Sequence, residues 1–289
     1  MGVPAAVVVE VAPVPAPAVR APAPAPAVDG SGAPIHFPVT AMSTTDPSRP
    51  NLPPPELARR QAKWLAPARQ WLLQQADLAW RHSVLDLGCG FGSVTPELVA
   101  GADGPVVALD FNWAALHHDP TPFAGAVVTC ANARRLPFPD GYFDLVFCQL
   151  ALLWMPLEAT VSEIRRVLMP GGALVAIEPD YGGMIEYPPE IASQDLWIAA
   201  LRQAGADPTV GRKLPGLLAK HGFTVKVELL NRLSPPAPER VDLLAGLPTN
   251  AAGAQELDRI ARRARTLTGP WEQIVHLPFV FVTAILPKS

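Results

Sequence analysis

Short apolar segments alternate with segments of helical periodicity from residue 83 to residue 178, and this alternation limits the possible folds more than any other feature of the chain. The apolar segments are rich in Val, Leu, Ile and Phe, as buried strands are. Strands separated by helices pair in parallel, and a parallel sheet is covered on both faces. The sequence therefore predicts an α/β fold with a largely parallel sheet. Its seven strands are expected at 83–88, 105–110, 126–130, 143–149, 173–178, 223–230 and 277–286.

The first helix should begin after the Pro-rich stretch 48–55, and Pro67 is expected to kink it or to restart it as a second helix. In residues 157–169, apolar side chains recur at helical spacing, and a Pro-Gly-Gly run at 170–172 should end that helix. Further helices are expected at 93–100, 112–118, 189–204 and 212–221. The apolar face of the first helix is expected to comprise Leu57, Trp64, Leu65, Trp71 and Leu72.

The chain divides into a tail and one domain. Residues 1–54 are dominated by Pro, Ala and Val, which favours an extended, polyproline-like conformation. We expect this tail to be disordered, with a semi-rigid tether as the alternative. Residues 55–289 are expected to form one domain with an N-terminal helical lid and an insert at 234–270, Pro-rich and then helical, that could cover a substrate.

Composition excludes several classes of protein. The 289 residues include 17% charged residues and carry a net charge of −3, whereas nucleic-acid binders usually show a basic face, so nucleic acid is not an expected partner. No apolar run reaches the length of a membrane span. Cys89, Cys130 and Cys148 lack the spacing of a disulfide framework or a zinc site, and no cluster indicates a metal. They are expected to be buried thiols in a reducing cytoplasm.

The predicted first strand ends in the sequence DLGCGFG, residues 86–92. Gly88, Gly90 and Gly92 lack a Cβ, so the backbone there can turn tightly and approach a ligand closely. The spacing is G-x-G-x-G, which is neither the dinucleotide fingerprint nor a Walker A loop. Ligands of open parallel sheets bind at the carboxyl ends of the strands. With Asp86 in front of it, the loop predicts a nucleoside-type ligand.

Asp110 ends the predicted second strand. A carboxylate at this point can accept hydrogen bonds from two ribose hydroxyls. The alternative is a helix N-cap for the segment that begins at Asn112. The preceding glycine loop favours the ribose contact.

Four segments in order, VLDLGCGFG, VVALDFN, ANARRLPFPDGYFDLVFCQLALLWM and VLMPGGALVAIEPD, resemble the motifs of class I S-adenosylmethionine-dependent methyltransferases. They are most similar to the small-molecule branch that includes the quinone-biosynthesis (type 11) enzymes. The resemblance covers about residues 55–289 and is strongest over 83–180. It implies a Rossmann-like sheet with helices on both faces and an antiparallel last strand.

The resemblance also implies that S-adenosylmethionine is the cofactor and which residues bind it. The three glycines, Gly88, Gly90 and Gly92, would line its methionine and ribose part. Asp86 would help to hold the amino group, and Asp110 would bind the ribose hydroxyls.

At the expected adenine contact, the sequence differs from the family pattern. The family often has Gly-Asp-Ala where this chain has Ala131-Asn132-Ala133. Asn132 and Ala133 are expected beside the adenine, and an Asn amide can donate as well as accept a hydrogen bond. Gln149 follows the fourth strand, where the family places groups near the methyl donor, and a polar strand cap is its alternative.

The implied reaction is in-line transfer of a methyl group to a small, apolar acceptor. The cofactor carries an activated methyl group, so the protein has to align the reactants and exclude water. Glu178, at the end of the fifth strand, is the expected base or substrate ligand, with a structural acid as the alternative. Trp64, Trp154 and Tyr181 are expected to contact the acceptor, although tryptophans at helical spacing are often core residues.

Two other classes of function stay open on the sequence alone. A nicotinamide-dependent oxidoreductase would share the sheet and Asp110 but would favour a different glycine spacing. A non-catalytic nucleoside-cofactor-binding protein would keep the loop without turnover.

Overall fold

A computed structural model describes residues 54–229, 247–269 and 271–288. The expected tail at 1–54, apart from Pro54, and residues 234–246 of the expected insert lie outside this part of the chain. The tail and the domain boundaries therefore stay predictions. The strands are β1 (Val84–Leu87), β2 (Val106–Asp110), β3 (Ala126–Cys130), β4 (Phe143–Gln149), β5 (Leu168–Pro179), β6 (Ile185–Tyr187), β7 (Thr224–Leu229), β8 (Ile274–His276) and β9 (Phe279–Ile285).

Seven of the described strands form one sheet in the order β3-β2-β1-β4-β5-β9-β7. The strands from β3 to β5 are parallel to their neighbours, whereas β9 pairs antiparallel with both β5 and β7. The α/β fold with a seven-stranded, mostly parallel sheet and an antiparallel last strand is thus confirmed. The chain runs outward from β1 through β2 to β3 and then returns to β4 on the other side of β1. The strand order reverses at this point, which opens a crevice at the carboxyl end of β1.

The helices of the described chain cover both faces of this sheet, as expected. They are α1 (Pro55–Gln75), α2 (Thr95–Gly101), α3 (Trp113–Leu116), α4 (Leu157–Val167), α5 (Gln194–Gln203), α6 (Val210–Lys220) and α7 (Ala251–Thr266). On one face, α4, α5 and α6 bury apolar side chains against alternate residues of β1, β4 and β5. On the other face, α1 and α2 pack against the residues between these.

Of the two alternatives expected at Pro67, a second helix is excluded, because α1 is continuous through that residue, and a kink stays a prediction. Pro67 is exposed together with Lys63, whose carbonyl loses its amide partner there. The expected apolar face of this helix was wrong at two positions. Trp64 and Trp71 are not part of the apolar face, since their exposed fractions are 54% and 41%. The buried stripe runs instead through Leu57, Ala62, Leu65, Arg69, Leu72 and Leu73.

A second, two-stranded sheet was not predicted. Strands β6 and β8 pair antiparallel, and three residues each are too few for a period-two pattern to be read from sequence. Helix α7 confirms that the second half of the expected insert is helical.

None of the described helices combines the length and apolarity needed to cross a membrane. The cytoplasmic location expected from the cysteines stays a prediction.

Alanine substitutions at two glycines of α6 should have opposite effects on the free energy of unfolding. A Cβ on Gly211 would lie 2.8 Å from the carbonyl oxygen of Pro179, where α6 packs on β5, whereas a Cβ on Gly216 would meet no atom within 4 Å. We expect Gly211→Ala to lower the free energy of unfolding by about 1–3 kcal/mol. Gly216→Ala should raise it by about 0.5–1 kcal/mol, since alanine loses less backbone entropy in a helix. Urea unfolding measures both, and equal effects would contradict the close packing of α6 on β5.

Candidate active site

A cavity opens at the carboxyl ends of β1, β4 and β5. Its floor is the loop after β1, and its sides come from the end of β4, the end of β5 and the first turns of α1. The lining includes Asp86, Gly88, Gly90, Gln149, Trp154 and Tyr181 from the predicted site, with Ala58, Gln61 and Ala62 of α1 and Leu247. Residues from separate parts of the sequence are therefore brought together where parallel strands end.

The backbone geometry of the loop requires glycine at three positions. Gly88, Gly90 and Gly92 have φ values of +76°, +54° and +71°, which L side chains rarely adopt. A Cβ on Gly88 would lie 2.5 Å from the Cβ of Ala151, and one on Gly92 would lie 2.8 Å from the ring of Phe123. A Cβ on Gly90 would meet no atom within 4 Å. The outer two glycines permit close packing, and the middle one faces open space.

Asp110 ties the end of β2 to this loop. One carboxylate oxygen accepts from the amide of Gly90 at 2.9 Å and the other from the amide of Asn112 at 2.8 Å. Burial raises the pKa of Asp110, although the amides of Asn112 and Gly90 oppose that shift. The N-cap of α3 is Asn112, whose side chain accepts from Ala115, so the capping alternative for Asp110 does not apply. Each oxygen keeps a lone pair for a further donor.

Asp86 and Ser93 supply polar atoms on the same side of the cavity. The Asp86 carboxylate accepts a hydrogen bond of 2.7 Å from the hydroxyl of Thr95. Burial raises the pKa of Asp86 to about 7, opposed by the Thr95 hydroxyl. The Ser93 hydroxyl is buried and has no hydrogen-bond partner within the described chain, and Ser93 lines the cavity.

The residues after β3 lie beside the end of β2, since Cys130 pairs with Asp110. Asn132 is exposed, and its side-chain oxygen accepts from the amide of Arg134 at 2.9 Å. Ala133 is buried in the core. Asp110, Gly92, Asn132 and Ala133 do not line the cavity.

Gln149 ends β4 on the face covered by α1. Its side-chain oxygen accepts a hydrogen bond of 3.0 Å from Arg69 of α1. Arg69 is only 3% exposed and also binds the Glu97 carboxylate of α2 at 2.6 Å. The polar-cap alternative for Gln149 thus accounts for one end of its amide.

Glu178 lies apart from the cavity. Its side chain is fully buried, and one oxygen accepts from the amides of Ala151 and Leu152 at 3.0 and 2.9 Å. The other oxygen has no partner within the described residues. In β5, Glu178 alternates with Ile177, so it points to the face opposite α1. This placement favours the structural alternative over the expected base.

The two amides that Glu178 binds follow a strained residue. Leu150 has a φ of +56°, although it is neither glycine nor asparagine, and it lines the cavity. Such a conformation persists only where neighbouring contacts enforce it. Glu178 supplies that enforcement by holding Ala151 and Leu152, and so fixes the turn that carries Gln149 and Leu150.

The far wall of the cavity is aromatic and apolar. Trp154 and Tyr181 form part of it, together with Trp197, whose ring stacks on Tyr181 with centroids 5.2 Å apart. Their contact with an acceptor stays a prediction. Trp64 is a correction, because its ring packs edge-on against Phe279 at 5.3 Å and does not line the cavity. On α1 the cavity-facing row is Ala58, Gln61 and Ala62.

Comparison with known proteins identifies the family. The methyltransferase domain family matches residues 85–176. The UbiE ubiquinone/menaquinone biosynthesis C-methyltransferase of Cupriavidus taiwanensis is 35% identical over 117 residues, which is 38% of this chain and 48% of that protein. The chain thus spans about half the length of this relative. The uncharacterized methyltransferase sll0829 of Synechocystis is 32% identical over 156 residues, which is 53% of this chain and 72% of that protein.

The chain belongs to the class I S-adenosylmethionine-dependent methyltransferases. Its likeness to the type 11 branch, expected from four motifs, is confirmed, and S-adenosylmethionine is the cofactor of this family.

Solved structures agree on the fold of this chain. The YcgJ protein of Bacillus subtilis has a TM-score of 0.57 at 16% identity and covers 76% of this chain and 98% of its own. A putative methyltransferase of Bacillus halodurans has a TM-score of 0.55 at 19% identity, with the same coverage. At these identities, the likeness supports the fold alone.

The sequence patterns did not predict Arg69, Ser93 and Trp197 as residues of this site. The signal for Arg69 was present, because it lies four residues after Leu65 and three before Leu72, within the buried stripe. Charged residues are rarely fully buried, and a buried arginine needs partners that are distant in sequence. Here these partners are Glu97 and Gln149.

Glu178 predicts a pH dependence of stability. Burial raises the pKa of Glu178 from 4.5 to about 7, so the folded protein holds this proton more tightly than the unfolded chain does. Stability from this group is present below pH 4.5 and is lost as the pH rises towards 7. Glu178→Gln cannot titrate, so its free energy of unfolding should fall less over that range than that of the wild type. Urea unfolding at several pH values measures the difference, and parallel pH profiles would contradict the assignment.

Proposed function

We propose that this protein binds S-adenosylmethionine across the glycine loop and transfers its methyl group to a small, uncharged, apolar acceptor by in-line displacement. One observation carries the proposal. The glycine loop with its polar atoms and the aromatic wall face the same cavity at the ends of β1, β4 and β5. A polar ligand and an apolar one can thus meet there.

The residues present fit the cofactor. The buried Ser93 hydroxyl lacks a partner within the described chain, and the open space at Gly90 leaves room for close approach. We assign the methionine and ribose part to Gly88, Gly90 and Gly92, with Asp86 near the amino group. Asp110 would accept from the ribose hydroxyls through its remaining lone pairs.

The adenine contact is assigned to Asn132 and Ala133. The Asn132 oxygen accepts one hydrogen bond from Arg134 and keeps a second lone pair. Its amide nitrogen would donate to a ring nitrogen of adenine, which an ionised aspartate at this position could not do.

S-adenosylmethionine supplies an activated methyl group when it is bound, so the protein needs little covalent chemistry of its own. The residues of this chain orient the cofactor and the acceptor and remove water from them. The turn fixed by Glu178 places Gln149 and Leu150 at the end of β4, and the aromatic wall keeps water from the acceptor. Positioning of this kind can contribute about 7–11 kcal/mol to lowering a barrier.

Charge in the cavity limits the acceptor. Asp86 is the only Asp, Glu, Lys or Arg among the described residues that line the cavity. An acceptor with a phosphate or carboxylate near this wall would lose its hydration without a cationic partner. Uncharged apolar molecules fit best.

Calorimetry with S-adenosylhomocysteine, NADH and ATP tests the cofactor. We expect heat of binding with S-adenosylhomocysteine only. Binding of NADH alone would support the oxidoreductase alternative. Incubation with methyl-labelled cofactor and an extract of small metabolites, followed by mass spectrometry, then tests turnover. Binding without any methylated product would support the non-catalytic alternative.

Asp110→Ala should weaken S-adenosylhomocysteine binding by about 10- to 100-fold, since hydrogen bonds to a carboxylate are lost. Asp258→Ala, at an exposed carboxylate of α7, serves as the control for lost charge. Calorimetry of both variants measures the change. Unchanged affinity in a folded Asp110→Ala protein would contradict the ribose assignment.

Trp154→Ala should reduce methyl transfer to the acceptor found in the metabolite extract at least about tenfold, because it removes one aromatic ring of the cavity wall. Its affinity for S-adenosylhomocysteine should stay close to that of the wild type. Trp80→Ala, at a tryptophan that is 73% exposed, should change neither quantity. A matching loss of cofactor affinity in Trp154→Ala would place this ring in the cofactor site instead.

A further inference from the structure

Arg69 is a buried charge that the reaction described above does not use. It lies in the middle of α1, and 3% of it is exposed. The desolvation of a guanidinium is costly unless its N–H groups are paired. Its contacts therefore show what holds α1 against the sheet.

The guanidinium makes four hydrogen bonds, which reach three different residues. Nε and Nη2 donate to one carboxylate oxygen of Glu97 at 3.0 and 2.6 Å. Nη1 donates to the carbonyl of Ala62 at 2.8 Å and to Oε1 of Gln149 at 3.0 Å. Arg69 thus joins α2, its own helix and the end of β4 through one planar group.

The contact with Gln149 decides which way its amide points. A guanidinium only donates, so the amide atom that faces Arg69 has to be the oxygen. The amide nitrogen, with its two N–H groups, then points away from Arg69. Within the described chain this nitrogen has no protein acceptor, and Gln149 lines the cavity.

We propose that Arg69 is a positioning residue that turns the Gln149 amide so that its nitrogen donates to a ligand oxygen at the carboxyl end of β4. The ligand oxygen belongs either to the cofactor carboxylate or to the acceptor, and hydrogen-bond acceptance is the chemistry that both share. The inference rests on the proposed function, since it names a contact of the same cavity. Ala62 lines that cavity as well, so the arginine also fixes the part of α1 that borders the ligand.

Gln149→Glu separates this role from a structural one. The carboxylate keeps an oxygen for Arg69, so the fold should be retained, but the two N–H donors are lost. If the donors serve the cofactor carboxylate, affinity for S-adenosylhomocysteine should fall at least about tenfold. Affinity for 5′-methylthioadenosine, which lacks the carboxylate, should not change. If they serve the acceptor, cofactor affinity should hold while labelled methyl transfer falls by a similar factor.

Gln75→Glu is the matched control, because it adds the same charge at an exposed position of α1. It should change neither binding nor transfer. If Gln149→Glu likewise changes neither, the proposal is overturned, because no ligand oxygen then depends on the amide donors.

Arg69→Lys tests whether the arginine acts through Gln149. Lysine keeps the charge opposite Glu97, but one ammonium cannot reproduce the planar fork that reaches three partners. We expect Arg69→Lys to lower the same quantity as Gln149→Glu, with little further loss in the double variant. Fully additive losses would overturn the positioning role.

Urea unfolding of ligand-free Arg69→Lys, Gln149→Met and the double variant measures the contact itself. We expect the two effects on the free energy of unfolding to be coupled, and additive effects would overturn the inference. This readout does not depend on any ligand. A wild-type protein that binds no S-adenosylhomocysteine would therefore overturn the proposed function separately from the Arg69–Gln149 contact.

Discussion

Parallel pairing of β1 with β2 on one side and β4 on the other is the constraint on which the rest of the structure depends. The strand order reverses at β1, and this leaves a crevice at the carboxyl end of that strand. Gly88, Gly90 and Gln149 reach this crevice, and Asp110 lies beside the loop, because each follows or ends a strand of the same parallel set. The chemistry of the site is thus placed by strand order before any single side chain contributes.

Buried polar groups then give the site its shape. Asp110 binds the loop amide of Gly90, Glu178 binds two amides after β4, and Arg69 joins α1 to Gln149. Each of these groups would be costly to bury alone, and each is paired with atoms far away in sequence. The cavity is therefore held by polar contacts between elements, while its aromatic wall is held by ordinary core packing.

Much of this could be predicted from the sequence, because strands, glycines and strand-end acids leave local patterns. The sheet was predicted from the alternation of apolar segments, and Asp86, Gly88, Gly90 and Gln149 reach the cavity. The faces of α1 could not be predicted, since apolar spacing alone did not show that Trp64 and Trp71 lie beside the buried stripe. The orientation of Glu178 and the partners of Arg69 depend on register and helix docking, which local pattern does not specify.

The antiparallel strand β9 has a consequence for the order in which the protein can be completed. It lies between β5 and β7, and β7 has no other partner strand in the described part of the chain. During synthesis at about 5–20 residues per second, β7 emerges well before the strand that it needs. For that interval the nascent sheet ends at β5, and β7 remains an unpaired strand with free backbone groups. The sheet can therefore be completed only after all the described residues that line the cavity, up to Leu247, have been made.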